Sequence, residues 1–235
     1  MHPATTRCSI ALALLGFLAM QKPVAVSDRL DEPWWKARHE HCQRMTTYGR
    51  ADVAFLGDSI TQGWEGAGEP VWDTEIAPLK CANFGFGGDR TDHVMWRLEN
   101  GELIAMHPKV VVLLIGTNDI GQDRSPEQAA EGVKTIVSTL RTELPRSQIL
   151  LLGLLPRARN SSDPLRLGVT QATDLFKSVA DGSRVRFLDI GASFLRPDRT
   201  LNSDLMPDFL HPNREGYELE ARAIVPIIRD MLADS

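Results

Sequence analysis

Five short apolar runs punctuate the chain, and each stops abruptly at glycine or at polar residues. They are Val53-Ala54-Phe55-Leu56, Cys81-Ala82-Asn83-Phe84, Val110 to Ile115, Ile149 to Leu152, and Val185-Arg186-Phe187-Leu188. Short runs of this kind predict strands, and the first suits a strand buried on both faces. The segments between them carry helical signals. Asp31-Glu32-Pro33 opens a helix that reaches about Tyr48 and stops at Gly49, an acidic start with proline in the first turn. Asp89 to Glu99 is helical, with Val94, Met95 and Leu98 on one side. Ser125-Pro126 starts a helix whose apolar positions Ala129, Val133, Ile136, Val137 and Leu140 keep helical spacing up to Pro145. Residues 168–181 and Glu215 to Leu232 complete the set, the last with Pro226 expected to bend it. Residues 60–80, rich in glycine and proline, read as loop with one short helix at Val71–Ile76. Strands alternating with helices build parallel βαβ units with helices on both faces. The fold class is α/β: one three-layer α/β/α domain around a five-stranded parallel sheet.

In an open α/β sheet, chemistry sits just beyond the carboxyl ends of the strands. Three consecutive strands end in unusual polar groups: Ser59 after the first, the Gly87-Gly88-Asp89 turn after the second, Asn118 after the third. Parallel strands put all three on one edge. A hydroxyl, free backbone N–H groups and a side-chain amide suit acyl transfer, in which an oxyanion needs donors where its charge develops. The N–H groups of Ser59 and Gly88 and the amide of Asn118 can supply them. A serine needs a base, and His211 is the best placed, in Asp208-Phe209-Leu210-His211-Pro212 just before the last helix. The spacing lets one turn bring Asp208 to the imidazole, fixing its tautomer. His93 is the rival, on the helix after the glycine turn but without an equally placed partner. Asp58 is read as structural, accepting backbone N–H bonds that hold the serine turn.

Composition changes this picture little. The 235 residues are 43% hydrophobic and 24% charged, with net charge −5, which offers no basic footprint for nucleic acid. The N-terminus adds more. Arg7, the uncharged run Ser9 to Met20 and the small residues of Ala25-Val26-Ser27 form the three-part pattern of an export signal cleaved near Ser27. That divides the chain into a signal, 1–27, and a domain, 28–235, exported to the periplasm or beyond. The apolar run is too short for a stable membrane span, which needs about 20 residues. Removal of Arg7 and Lys22 leaves 24 basic against 31 acidic groups, near −7. Cys42 and Cys81 then remain, either paired or as free buried thiols. His39 and His41 read as a solvated helix face rather than a zinc site, since they point about 200° apart on a helix.

The blocks Gly57-Asp58-Ser59-Ile60, Asn83-Phe84-Gly85-Phe86-Gly87-Gly88-Asp89, Gly116-Thr117-Asn118-Asp119 and Asp208-Phe209-Leu210-His211 resemble the four signature blocks of the SGNH (GDSL) hydrolases. Within that superfamily the pattern is most similar to the catalytic subunits of platelet-activating factor acetylhydrolase, through stretches such as His93-Val94-Met95-Trp96-Arg97-Leu98 and Gly153-Leu154-Leu155-Pro156-Arg157. The resemblance implies a flavodoxin-like strand order, Ser59 as nucleophile, Asp208 and His211 as its relay, and Gly88 and Asn118 as oxyanion donors beside the Ser59 N–H. The expected function is a serine esterase without metal or other cofactor. It would cleave short acyl groups, notably acetyl, from a small-molecule ester of a sugar or small lipid. Acetylhydrolase action on sn-2 acetyl phospholipids is the alternative. A non-catalytic carbohydrate-binding module on the same fold is the rival from another class, and the presence of every catalytic group counts against it.

Overall fold

The computed structural model describes residues 27–235; the expected export signal lies outside them, apart from its last residue, Ser27. Strands β1 (Val53–Gly57), β2 (Cys81–Gly85), β3 (Val110–Leu114), β4 (Gln148–Leu152) and β5 (Val185–Leu188) form one sheet in the order β2-β1-β3-β4-β5. Every neighbouring pair is parallel. This is the flavodoxin-like order that the resemblance implied. β1 and β3 are buried at every position, which is why their sequences are unbroken apolar runs rather than alternating ones. Register then fixes where the chemistry falls. Gly57 stands level with Gly85 on one side and Leu114 on the other, so three strands end on the same edge.

Five longer helices flank the sheet: α1 (Pro33–Tyr48), α2 (Thr91–Glu99), α3 (Pro126–Glu143), α4 (Pro164–Phe176) and α5 (Arg214–Ala233). Helices α2, α3 and α4 pack side by side, while α5 packs against the short helical turns of residues 69–76. The α3 start is a capping box: the Ser125 hydroxyl accepts from the Gln128 N–H at 3.2 Å, and the Gln128 amide oxygen accepts from the Ser125 N–H at 2.9 Å. The expected apolar stripe Ala129, Val133, Ile136, Val137 and Leu140 is buried. Among the described residues no helix is long and apolar enough to cross a membrane.

Several expectations need correction. Residues 59–79 are a succession of short helical turns rather than loop with one helix. Helix α4 begins at Pro164, four residues before the expected start, where the Asp163 carboxylate accepts from the Leu165 N–H at 2.9 Å. That Asp-Pro pair was a readable start signal. Helix α5 runs from Arg214 to Ala233 with Pro226 inside it, one residue longer at each end than expected. Of the two alternatives for Cys42 and Cys81, the structure has the free thiols rather than the pair, and burial pushes both up to about 12. His39 is not on a solvated face. It is buried, stacks on Trp35 with ring centroids 5.7 Å apart, and meets Glu102 through Nδ1 at 3.1 Å; His41 is exposed.

Removing the Ser125 hydroxyl leaves one helix-end N–H without its acceptor. Ser125→Ala should destabilise the fold by about 1 kcal/mol, read as a lower urea midpoint with an unchanged m-value. A drop several times larger would mean that the start of α3 does more than cap a helix.

Candidate active site

Ser59 opens a helical turn, Ser59–Gln62, directly beyond β1. The turn is set by Asp58, whose carboxylate accepts from the Ile60 N–H at 2.9 Å. Asp58 is thus structural, as expected, although one N–H rather than several holds it and its other oxygen has no partner among the described residues. Gly85 at the tip of β2 is needed here by close approach: a Cβ would run into the backbone of Thr61 and Gln62. The far side of the turn is held by α5, where the Tyr217 hydroxyl donates to the Ile60 carbonyl at 2.7 Å.

His211 arrives from a chain segment 152 residues away, and its Nε2 lies 2.9 Å from Ser59 Oγ. Its Nδ1 lies 2.6 Å from Asp208 Oδ2. With Nδ1–H donating to the carboxylate, Nε2 is left as the acceptor that faces the serine. The other oxygen of Asp208 accepts from the Leu210 and His211 N–H groups at 3.0 and 2.7 Å. The turn needs Phe209 at φ +59°, and its carbonyl accepts from the Ala158 N–H at 2.9 Å. Partial burial pulls the Asp208 carboxyl upward, but its hydrogen bonds with His211 and Leu210 outweigh this and hold it below its ordinary value. Asp208 therefore stays an anion beside the imidazole.

Gly88 follows β2 with φ +74°, a left-handed conformation that favours glycine. Asn118 sits in the helical turn Thr117–Gly121 beyond β3, and its amide donates to the Asp89 carbonyl at 2.9 Å. One amide hydrogen is thus spent on fixing Asn118 against the Gly88-Asp89 turn, and the other has no partner among the described residues. The structure brings Ser59, Gly88, Asn118, Asp208 and His211 to one sheet edge. His93 is kept apart. It is fully buried in the first turn of α2, where Nδ1 accepts from the Arg90 N–H at 2.9 Å and Nε2 lies 3.3 Å from Asp28. Burial pushes its pKa down to about 4. It does have a carboxylate partner, contrary to expectation, but it serves as a helix cap.

The support behind these groups was not foreseen. Arg97 is fully buried: its Nε donates to Asp89 Oδ2 at 2.9 Å, its Nη1 pairs with Glu102, and its Nη2 reaches the Gly57 carbonyl at 3.3 Å. Trp35 Nε1 donates to the other Asp89 oxygen at 2.8 Å. The Gln62 side chain accepts from the Gly87 N–H at 2.7 Å. A single cation therefore ties the end of the serine strand to the glycine turn. The signal was present, because Arg97 lies three residues from Val94 and hence on the apolar side of α2. Burial raises Asp89 to about 6 despite Arg97, and raises Asp58 to about 7 despite the Ile60 N–H bond. On α5, buried Glu220 is raised to about 8 by burial first and then by Asp58.

A model of the GDSL-like lipase/acylhydrolase family matches residues 55–219. Human platelet-activating factor acetylhydrolase IB subunit alpha1 is 36% identical over 213 residues, 90% of each chain. The alpha2 subunit from Rattus norvegicus is 34% identical over 214 residues, 91% of each chain. Among solved structures, the acetylxylan esterase Axe2 from Geobacillus stearothermophilus superposes with a TM-score of 0.61 at 20% identity, covering 79% of this chain and 95% of that one. At that identity it shows a shared fold.

Two outcomes follow from this geometry. Arg97→Met should cost about 3–5 kcal/mol, because it strands Asp89 and Glu102 in the interior; a urea midpoint within error of the unmodified protein would refute the bracing role. Asp58 has a folded pKa of about 7, above the ordinary carboxylate value of about 3.9. It therefore binds more protons folded than unfolded between those limits. Its contribution is full below about pH 4 and is lost as pH rises towards 7. Asp58→Asn should flatten that decline, read as a smaller fall in unfolding free energy between pH 4.5 and 7.5.

Proposed function

The chain belongs to the GDSL-like lipase/acylhydrolase family and is a carboxylic ester hydrolase, and from that premise we propose that it is a serine esterase removing short acyl groups, notably acetyl, from a sugar or small-lipid alcohol. The observation that carries this reading is the hydrogen-bonded chain from Ser59 Oγ through His211 to Asp208. In the proposed mechanism His211 Nε2 takes the Ser59 proton as Oγ attacks the ester carbonyl. The carbonyl oxygen becomes an oxyanion held by the Ser59 and Gly88 N–H groups and the free amide hydrogen of Asn118. Asp208 keeps the imidazole oriented and stabilises it as imidazolium. On collapse the C–O bond to the alcohol breaks, and the alcohol leaves with the proton from His211. Water then attacks the acyl-enzyme, giving up its proton to His211, and the acid departs as that proton returns to Ser59.

Each step uses a side chain on this sheet edge, and none calls for a metal or cofactor. An acetyl ester of a glycerophospholipid is the second reading. It is favoured by the 36% identity to the human acetylhydrolase subunit over nearly the whole length of both chains. The N-terminal pattern of residues 1–27 supports placing the reaction outside the cytoplasm.

The test is hydrolysis of p-nitrophenyl esters of rising acyl length. Turnover should fall steadily from acetate to octanoate. Ser59→Ala should lose about 10⁴-fold or more of kcat, and Asn118→Ala about 10²–10³-fold with little change in KM. A chelator should leave the rate unchanged. Equal hydrolysis by the unmodified protein and Ser59→Ala would end the nucleophile assignment.

A further inference from the structure

Adjacent tryptophans at the start of α1 have opposite surroundings. Trp35 is 1% exposed and holds Asp89, whereas Trp34 is 43% exposed. Trp34 nonetheless lies at the glycine turn: a Cβ on Gly87 would be 3.9 Å from the far edge of its indole. Arg29 lies over the next residue, so that a Cβ on Gly88 would collide with its guanidinium. One carboxylate ties the two together. Glu32 accepts from Trp34 Nε1 with one oxygen and from Arg29 Nη1 at 3.2 Å with the other. A fixed, solvent-facing indole thus stands one residue from the proposed oxyanion donor. It belongs to a segment that precedes the family match, which begins at residue 55.

We propose that Trp34 is a specificity-determining residue, an aromatic platform on which the pyranose ring of a sugar ester stacks while its acyl group enters the oxyanion site. The inference rests on the esterase reading and names the alcohol. A pyranose presents an apolar C–H face and a rim of hydroxyls. The indole offers the matching apolar face, and Arg29 and Glu32 offer a charged border that hydroxyls can meet. An exposed indole also attracts quaternary ammonium groups, but the Arg29 guanidinium beside it carries the same charge as such a headgroup. A long acyl chain would find charged neighbours, Asp28, Arg29 and Glu32, instead of an apolar channel. The residue that would hold the substrate is tied to Glu32 beforehand, so little conformational freedom is lost on binding.

The experiment compares the unmodified protein, Trp34→Ala and Trp34→Phe on three probes: a mono-O-acetylated methyl xylopyranoside with its remaining hydroxyls free, ethyl acetate and an sn-2 acetyl phosphatidylcholine. Trp34→Ala should raise KM for the sugar ester about tenfold, the size of one lost stacking contact, with kcat within about twofold. Ethyl acetate turnover should be unchanged, and Trp34→Phe should recover most of the sugar-ester KM. Unchanged sugar-ester KM in Trp34→Ala overturns the platform, as does a larger loss on the phospholipid than on the sugar. An equal loss on ethyl acetate also overturns it, by showing that Trp34 only holds the glycine turn. Failure of the underlying reading looks different: the unmodified protein would hydrolyse none of the three probes, or Ser59→Ala would hydrolyse them equally well.

Discussion

A fully buried arginine sets the terms for the candidate catalytic edge. Arg97 stands between Asp89 and Glu102 with no access to water, an arrangement that contributes little net stability by itself and is severely destabilising when one member is lost. What the arrangement supplies is position. The same guanidinium reaches carbonyls at Gly57 and Phe84, the ends of β1 and β2. It also lies over the Phe86 ring, 3.9 Å from the centroid. Serine turn and glycine turn therefore cannot drift independently, and an oxyanion site is useful only while its donors stay fixed relative to the attacking atom.

The carboxylates around this edge show how environment divides labour among identical groups. Asp208 is half open to solvent and rich in N–H donors, so it keeps its charge and can stabilise an imidazolium. Asp58, next to the serine, is sealed from water and has one donor, and its charge is disfavoured. Proximity in sequence to Ser59 is thus a poor guide to the acid of the proposed triad; hydrogen-bond supply and solvent are the better one.

The parts legible from sequence are those in which one residue type has few alternatives. Short unbroken apolar runs mark the central strands β1 and β3, which are covered on both faces, and the alternation of such runs with helical segments gives the parallel sense. The edge strands β2 and β5, with Asn83 and Arg186 inside them, are read from their place in that alternation. Strand ends carrying Ser59, Gly88 and Asn118 follow from that topology, and Asp208 and His211 sit three residues apart in one turn. What was not legible depends on partners distant in the chain. His39 looked solvated because most of its cover, Trp96 and Glu102, is brought to the helix by tertiary packing. The helical turns of residues 59–79 contain glycines and prolines that argue locally against helix, and packing against α5 overrides them. Arg97 is the instructive case, since an arginine on an apolar face is anomalous only until its two carboxylates are known.

The hydrogen bond from Tyr217 to the Ile60 carbonyl joins residues 157 positions apart, and the one between Ser59 and His211 spans almost as far. Contacts of such sequence separation carry the entropic cost of closing a very long loop and hold only when most of the fold is in place. Hydrolytic competence is therefore a property of the finished fold. On the proposed assignment, a nascent, stalled or partly unfolded chain holds Ser59 without its base. The C-terminal helix thus has a second use besides covering the sheet: through Tyr217 it completes the mount of the serine turn.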